Sequence, residues 1–247
     1  MSWKNIKTFL ILLFLCINVY LLIITYQSGN AKELTEGNIY DTWILLEKNG
    51  ITIDKNIIPK NAPEYKNIEL SPLDFDDKDS VKYDENGVIT ITADVIINEQ
   101  NAAGVIKDTM QKSGLDTKNI VVKKKHDGYY VTETVGGMQI FNNILRVSID
   151  SGKTVFKGIW YEYHMTDSYR TAETKAVYAT SALIAFISEF AQNGSEITIS
   201  DISFGYHAVT DRSTSNAKSI SAAPCYCLTD INGKSYYYNI LDTSFVE

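Results

Sequence analysis

VITITADVII, residues 88–97, alternates apolar and polar side chains in the way that a half-buried β-strand does. An amphipathic helix is predicted directly after it, over residues 98–112, and Gly114 is a residue suited to ending that helix. A strand followed by one helix and then by a run of short strands is typical of an α+β fold. We therefore expect the chain to belong to the α+β class.

Short strands separated by glycine-containing turns follow this helix. The turns are Asp127-Gly128, Gly136-Gly137 and Ser151-Gly152. The strands between and around them are predicted at residues 120–125, 129–135, 139–141, 145–149 and 154–163. Because turns of this length join antiparallel neighbours, we expect one helix beside an antiparallel meander.

A second helix-plus-sheet unit is predicted towards the C-terminus. Its helix covers residues 171–192, where apolar residues recur at helical spacing. Asn232-Gly233 is a strong hairpin signal. The strands of this unit are predicted at residues 196–206, 225–228 and 235–240. Since VSIDSGKTVF and LTDINGKSYY are also alike, we interpret the chain as two similar βα-meander units.

The N-terminal stretch FLILLFLCINVYLLIITY, residues 9–26, is almost continuously apolar. A helix of about 20 such residues crosses a bilayer, so we expect a transmembrane helix. Lys4 and Lys7 precede it and acidic residues follow, which places the N-terminus in the cytoplasm and the rest outside. A cleaved signal peptide is the alternative, because Gly29-Asn30-Ala31 resembles a cleavage site. The apolar run is longer than a usual signal core, which favours an uncleaved anchor.

The expected organisation is one transmembrane helix followed by an extracytoplasmic region. A further helix is predicted at residues 38–49, and an acidic linker at residues 71–86. The predicted parts are a cytoplasmic N-terminus (1–8), the transmembrane helix (9–28), a helix with an extended segment and the acidic linker (29–86), the first helix-plus-sheet unit (87–165) and the second (166–247).

Charge and cysteine content exclude several classes of function. The net charge of -7 opposes nucleic-acid binding, which needs a basic surface. Three cysteines are too few for a disulfide framework, and we expect Cys225 and Cys227 to be buried free thiols rather than a redox or metal pair. His126, His164 and His207 are far apart in sequence and lack metal-ligand spacing. We predict no metal site, no cofactor, no catalytic residue and no small-molecule substrate.

Two segments mimic the end of a phosphate-binding loop. They are Gly152-Lys153-Thr154 and Gly233-Lys234-Ser235. The glycine that such a loop requires upstream is replaced by Val147 in one case and by Leu228 in the other. Both segments lie between two predicted strands, so we interpret them as hairpin turns.

Candidate partner-binding residues fall on two surfaces. On the predicted span, Asn18 could form a hydrogen bond to another helix, or it could bond its own backbone. On the outer sheet, the chain has an excess of tyrosine, with 16 residues, which suits either a protein interface or strand packing. The candidates are Phe14, Asn18 and Leu21 on the span, and Tyr226, Tyr237 and Tyr238 on the outer sheet.

Four segments carry a family resemblance. They are Trp3-Lys4-Asn5-Ile6-Lys7-Thr8 with the apolar run after it, Gly136-Gly137-Met138-Gln139-Ile140-Phe141-Asn142-Asn143, Pro224-Cys225-Tyr226-Cys227-Leu228, and Tyr237-Tyr238-Asn239. Together they resemble the YycI family of membrane-anchored proteins in a Gram-positive cell-envelope two-component system. Tyr226 stands where tryptophan is expected, and Asp242-Thr243-Ser244 where a Thr-Gly turn is usual.

The resemblance implies a regulatory function without catalysis. It implies a single-pass protein of the cell membrane that works with a YycH-like companion and tunes the system's sensor histidine kinase through helix contacts in the bilayer. The family has no catalytic residues to carry over. The alternative from the sequence is an extracytoplasmic peptide-binding or protease-inhibitor-like module, because helix-plus-sheet units also occur in inhibitory propeptides.

Overall fold

The computed structural model describes residues 13–20, 34–73, 81–84, 87–165, 176–190, 196–209 and 220–246. Over these residues the chain has four helices and one large mixed sheet of thirteen strands. The predicted α+β class is confirmed.

The helices are α1 (residues 13–20), α2 (Glu36–Lys48), α3 (Ala102–Lys112) and α4 (Ala179–Phe190). The strands are β1 (Ile51–Ile53), β2 (Ile68–Pro72), β3 (Val81–Tyr83), β4 (Val88–Ala93), β5 (Ile120–Lys125), β6 (Gly128–Val135), β7 (Met138–Asp150), β8 (Lys153–Ile159), β9 (Tyr161–Met165), β10 (Ile197–Val209), β11 (Ile220–Asp230), β12 (Ser235–Asn239) and β13 (Phe245–Val246). A 3-10 turn covers Lys55–Ile57.

The first half of the sheet, which we call the α3 half, contains α3 and β3 to β8. Its strands run in the order β7-β8-β4-β3, and β6 and β5 extend it beyond β7. Every pair in this half is antiparallel, as the meander predicts. Ala102, Ile106 and Met110 recur every fourth residue along α3 and are buried, because they face the sheet.

The second half, which we call the α4 half, contains α2 and α4 with β1 and β10 to β13. Antiparallel β10, β11, β12 and β13 lie side by side, and β1 pairs in parallel with β10. The two helices contact each other and share one apolar core with the sheet, centred on Leu46, Leu183 and Phe186. The Thr35 hydroxyl accepts the Asn38 N–H and so caps α2, and Gly50 follows the helix with φ 75°.

The two halves join through backbone pairing. Gln139 and Ile140 of β7 pair in parallel with Gly205 and Tyr206 of β10. Strand β2 pairs with both β9 and β11 and so ties the end of the first half to the second. The Tyr206 hydroxyl donates to the Lys66 carbonyl (2.8 Å) and accepts the Lys66 N–H (3.1 Å), which fixes the segment that leads into β2.

The structure differs from the sequence prediction at several places. The single strand predicted at residues 154–163 is two strands, β8 and β9, and β9 pairs with β2 instead of continuing the meander. The two strands predicted at residues 139–141 and 145–149 are one continuous strand, β7. Within the predicted acidic linker, Val81–Tyr83 forms a strand that pairs with β4. Residues 176–178 precede α4 instead of belonging to it, while residues 171–175 lie outside the described part of the chain.

The predicted span, residues 9–28, falls within the described residues only at 13–20, which are helical. Among the residues that the structure describes, we find no helix with the length and apolar character needed to cross a membrane.

Candidate functional site

The contact between the two halves is built on a large bulge in β7. Thr132 of β6 lies opposite Ile144, but Thr134, two residues later, lies opposite Gln139. The single residue Glu133 therefore faces the four residues 140–143. A bulge bends a strand and re-aims its side chains. We call residues 140–143, together with Glu133, Tyr161 and Ala208, the junction.

The side-chain amides of Asn142 and Asn143 make the hydrogen bonds that the backbone of a neighbouring strand would otherwise make. Each amide serves one side of the bulge. The Asn142 amide accepts the Ala208 N–H at 2.7 Å and donates to the Ala208 carbonyl at 2.9 Å. The Asn143 amide makes the same pair of bonds with Tyr161, at 2.7 and 3.1 Å. Neighbouring asparagines thus bond to β10 and to β9, and they satisfy backbone groups that the bulge leaves without a ladder partner.

Glu133 is a buried carboxyl group beside Asn143. Its residue is 4% exposed, and its Oε2 atom accepts a hydrogen bond of 2.7 Å from the Asn143 side chain. Burial is the main cause that raises the pKa of Glu133 to about 8. The negative charges of Asp116 and Glu162 raise it further, while the Asn143 bond acts in the opposite direction. A carboxyl group that titrates near neutral pH is a functional candidate.

The backbones of β7 and β10 approach closely at Gly205. A Cβ atom at this position would lie 2.2 Å from the Gln139 carbonyl oxygen and 2.9 Å from the Phe141 ring. Only glycine therefore permits this parallel contact.

A small apolar cluster lies next to the junction. It contains Phe141 of the bulge with Cys225, Cys227 and Val246. Both cysteines are buried free thiols, as predicted. The centre of the Tyr237 ring lies 5.3 Å from the centre of the Phe141 ring and 4.6 Å from that of the His207 ring. Burial raises the pKa of Cys225 and lowers that of His207, so both groups stay neutral in the fold at pH 7.

The three candidate tyrosines of the outer sheet are mainly packing residues. Tyr226 and Tyr238 are 1% and 0% exposed, and their hydroxyls bond to the Val177 carbonyl and to Glu189. Tyr237 is half-buried, and burial raises its pKa to about 12. A partner that contacted Tyr226 or Tyr238 would have to open the core, which leaves Tyr237 as the accessible member of the set.

The candidate residues of the predicted span are described in part. Phe14 is 61% exposed, and Asn18 donates from its side chain to the Phe14 carbonyl (2.9 Å), which is the intrahelical alternative. Leu21 lies outside the described residues.

Both segments that mimic a phosphate-binding loop are turns between antiparallel strands. Gly152 (φ 79°) lies between β7 and β8, and Gly233 (φ 82°) lies between β11 and β12. Their interpretation as hairpin turns is confirmed.

Sequence reasoning missed Glu133, although a signal for it exists. In GYYVTETV, residues 128–135, period-two alternation puts Val131, Glu133 and Val135 on one face of the strand. A glutamate on the apolar face of a strand predicts a buried carboxyl group with a partner.

Comparisons with known proteins add little. No family model matches the chain, and no curated protein matches it. One solved structure, of an uncharacterized protein from Eubacterium rectale, is similar over 61% of this chain and 56% of that one, with 13% identity and a TM-score of 0.37. The chain thus spans just over half of that protein, and a likeness at this level carries no argument about function.

Proposed function

We propose that the chain is a membrane-anchored extracytoplasmic protein that regulates a cell-envelope sensor histidine kinase together with a YycH-like companion. In this proposal residues 9–28 span the membrane, with the N-terminus in the cytoplasm. In this proposal the units predicted at residues 87–165 and 166–247 supply α3 with β4 to β8 and α4 with β10 to β13, while α2, β1 and β3 precede residue 87 and complete the two halves. The proposal assigns no catalytic step to the chain.

The observation that carries the proposal is the exposure of α1. All of residues 13–20 are exposed, and their six large apolar side chains are 44–63% exposed. A helix that shows apolar side chains all round is stable in lipid or against helices of another chain. Because no other part of the chain that the structure describes covers these side chains, a bilayer and a partner helix are the environments that fit them.

Asn18 gives this helix a point for specific contact. Its bond to the Phe14 carbonyl uses one N–H of the amide, so the amide oxygen can still accept a hydrogen bond from a partner helix. Such interhelical bonds contribute about 1 kcal/mol, which corresponds to roughly fivefold in affinity.

Two of the segments that resemble the YycI family have a clear role in the outer fold. Residues 136–143 form the turn before β7 and the bulge of the junction, and residues 224–228 lie in β11 between β10 and β12. Residues 136–143 help to hold the two halves together through the contact of β7 with β10, whereas residues 224–228 belong to the sheet of the α4 half. An adaptor between membrane proteins needs such fixed geometry to present surfaces to more than one partner.

The test is co-purification of the full-length chain with the histidine kinase from membranes. Replacing residues 9–28 with an unrelated span should abolish association, and Asn18→Leu should weaken it about three- to fivefold. Cys16→Leu is the matched control, because it introduces the same side chain two residues away on the exposed helix and should leave association unchanged.

Two results would contradict the proposal. If the chain with the replaced span still binds the kinase and gives the same signalling output, the helix is only a tether. If the full-length chain captures secreted peptides or a peptidase and no kinase, the chain is the alternative, an extracytoplasmic peptide-binding or inhibitor-like module.

A further inference from the structure

We propose that the Glu133–Asn143 pair is a pH-sensitive contact in the junction, closed while the Glu133 carboxyl is protonated and opened when it ionises. The inference concerns the outer fold alone and does not depend on a kinase partner. It rests on where Glu133 lies, on what Asn143 holds, and on the charges around the pair.

The position of Glu133 connects its charge to both halves. It faces the bulge of β7, and the bulge contacts β10 through Asn142 and β9 through Asn143. A movement that exposes Glu133 to water must displace these asparagines. The hydrogen bonds to Ala208 and Tyr161 would then be lost together.

Asn143 cannot change its orientation to suit the charge. Its oxygen is held by the Tyr161 N–H, so its NH2 group must point to the Tyr161 carbonyl and to Glu133 Oε2. That NH2 group can donate to a carboxylate or to the carbonyl oxygen of a protonated carboxyl group. The amide therefore favours neither protonation state by its orientation, and the surroundings of Glu133 decide which state is stable in the closed junction.

Those surroundings oppose a negative charge. Glu133 is 4% exposed, and its cross-strand neighbour on β5 is the apolar Ile120. The charged groups whose fields reach it are Asp116, from the loop before β5, and Glu162 of β9, and both are negative. The favourable Asn143 bond is outweighed, because burial and these charges together raise the pKa of Glu133 from 4.5 to about 8.

The pKa of Glu133 in the open and closed junction determines how opening depends on pH. In an open junction Glu133 is hydrated and returns to the ordinary pKa of 4.5, whereas in the closed junction it stays protonated up to about pH 8. The open state then binds fewer protons than the closed state between these values, so opening becomes easier as the pH rises. The equilibrium constant for opening rises by at most about tenfold per pH unit, and it stops rising above about pH 8.

Amide hydrogen exchange of the full-length chain in detergent micelles, followed by mass spectrometry, tests this inference. Rates are divided by the intrinsic rate at each pH, so that only opening is compared. Between pH 5.5 and 7.5, peptides that contain Tyr161 and Ala208 should lose at least tenfold in protection in the wild type. In Glu133→Gln, whose amide oxygen can still accept the Asn143 bond, protection should stay constant.

Two controls make the result specific. A peptide around Leu228, in the core of the α4 half, should show the same protection in both proteins. Asp116→Asn removes one of the repelling charges and should shift the plateau to lower pH, which keeps the inference testable if Glu133→Gln does not fold. Constant protection in the wild type, or an equal loss in Glu133→Gln, would overturn the proposal.

Discussion

Adding a single methyl group at Gly205 should separate the two halves of the sheet. Gly205→Ala places a Cβ atom 2.2 Å from the Gln139 carbonyl oxygen and 2.9 Å from Phe141. A carbon atom normally stays about 3.3 Å or more from a carbonyl oxygen, so β10 and β7 must separate by about 1 Å. The nearer obstacle is backbone, which cannot rotate away as a flexible side chain could.

The size of the effect follows from this geometry. Overpacking of a well-packed interior costs about 1–3 kcal/mol, and weakening the two residue pairs between β7 and β10 costs about 1 kcal/mol more for each hydrogen bond lost. The free energy of unfolding should fall by roughly 2–5 kcal/mol in total. For a domain of this size, that lowers the unfolding temperature by about 5–15 °C.

Thermal unfolding of the full-length chain in detergent, followed by circular dichroism, measures the change. Gly104→Ala is the matched control, because the added Cβ meets nothing within 4 Å and lies inside α3. It should stabilise the chain by roughly 0.5–1 kcal/mol through helix propensity. If Gly205→Ala melts at the wild-type temperature, the close approach of β7 and β10 does not hold the halves together.

Three further predictions concern pH, topology and independent folding. Burial lowers the pKa of His207 from 6.5, so below about pH 6.5 the unfolded chain binds a proton that the folded chain does not, and stability falls as the pH falls. His207→Phe keeps an aromatic ring beside Tyr237 and should reduce the difference in the free energy of unfolding between pH 7 and pH 5. An unchanged difference would mean that groups other than His207 cause the pH dependence. A reporter fused after Glu247 that works only outside the cytoplasm should be active, and cytoplasmic activity or a mature chain that starts at Lys32 would contradict the anchor. The region from Lys32 onwards should be soluble and unfold cooperatively without the span, because α2, α3 and α4 all pack on the sheet, while a gradual melt would mean that the span belongs to the fold.

The sequence patterns predicted individual elements better than their pairing. The glycine turns predicted the antiparallel pairs β5–β6, β6–β7 and β7–β8, because each of these contacts is local in sequence. Alternation at residues 88–97 predicted a strand there, but not its pairing with the distant β8. The parallel pairs β1–β10 and β7–β10 join residues far apart in the chain. Periodicity shows which face of a strand is buried, but it holds no information about a distant partner.

The error in β7 has a definite chemical cause. Asn142 and Asn143 are residue types typical of turns, and the two predicted strands ended on either side of them. In the structure their amides take the place of backbone groups, so the chain stays extended through a bulge. The same property that favours asparagine in turns, hydrogen bonding to backbone, here lets one strand belong to two ladders.

Strand β7 makes the two halves of the sheet behave like one rigid lever. Most multi-domain chains are joined by a pliable linker, whereas here a single strand of 13 residues pairs with β8 at one end and with β10 at the other. Bending it requires the simultaneous release of bonds on both flanks of residues 142–143. A torque applied to the α3 half should therefore turn the α4 half as one body, instead of being absorbed between them.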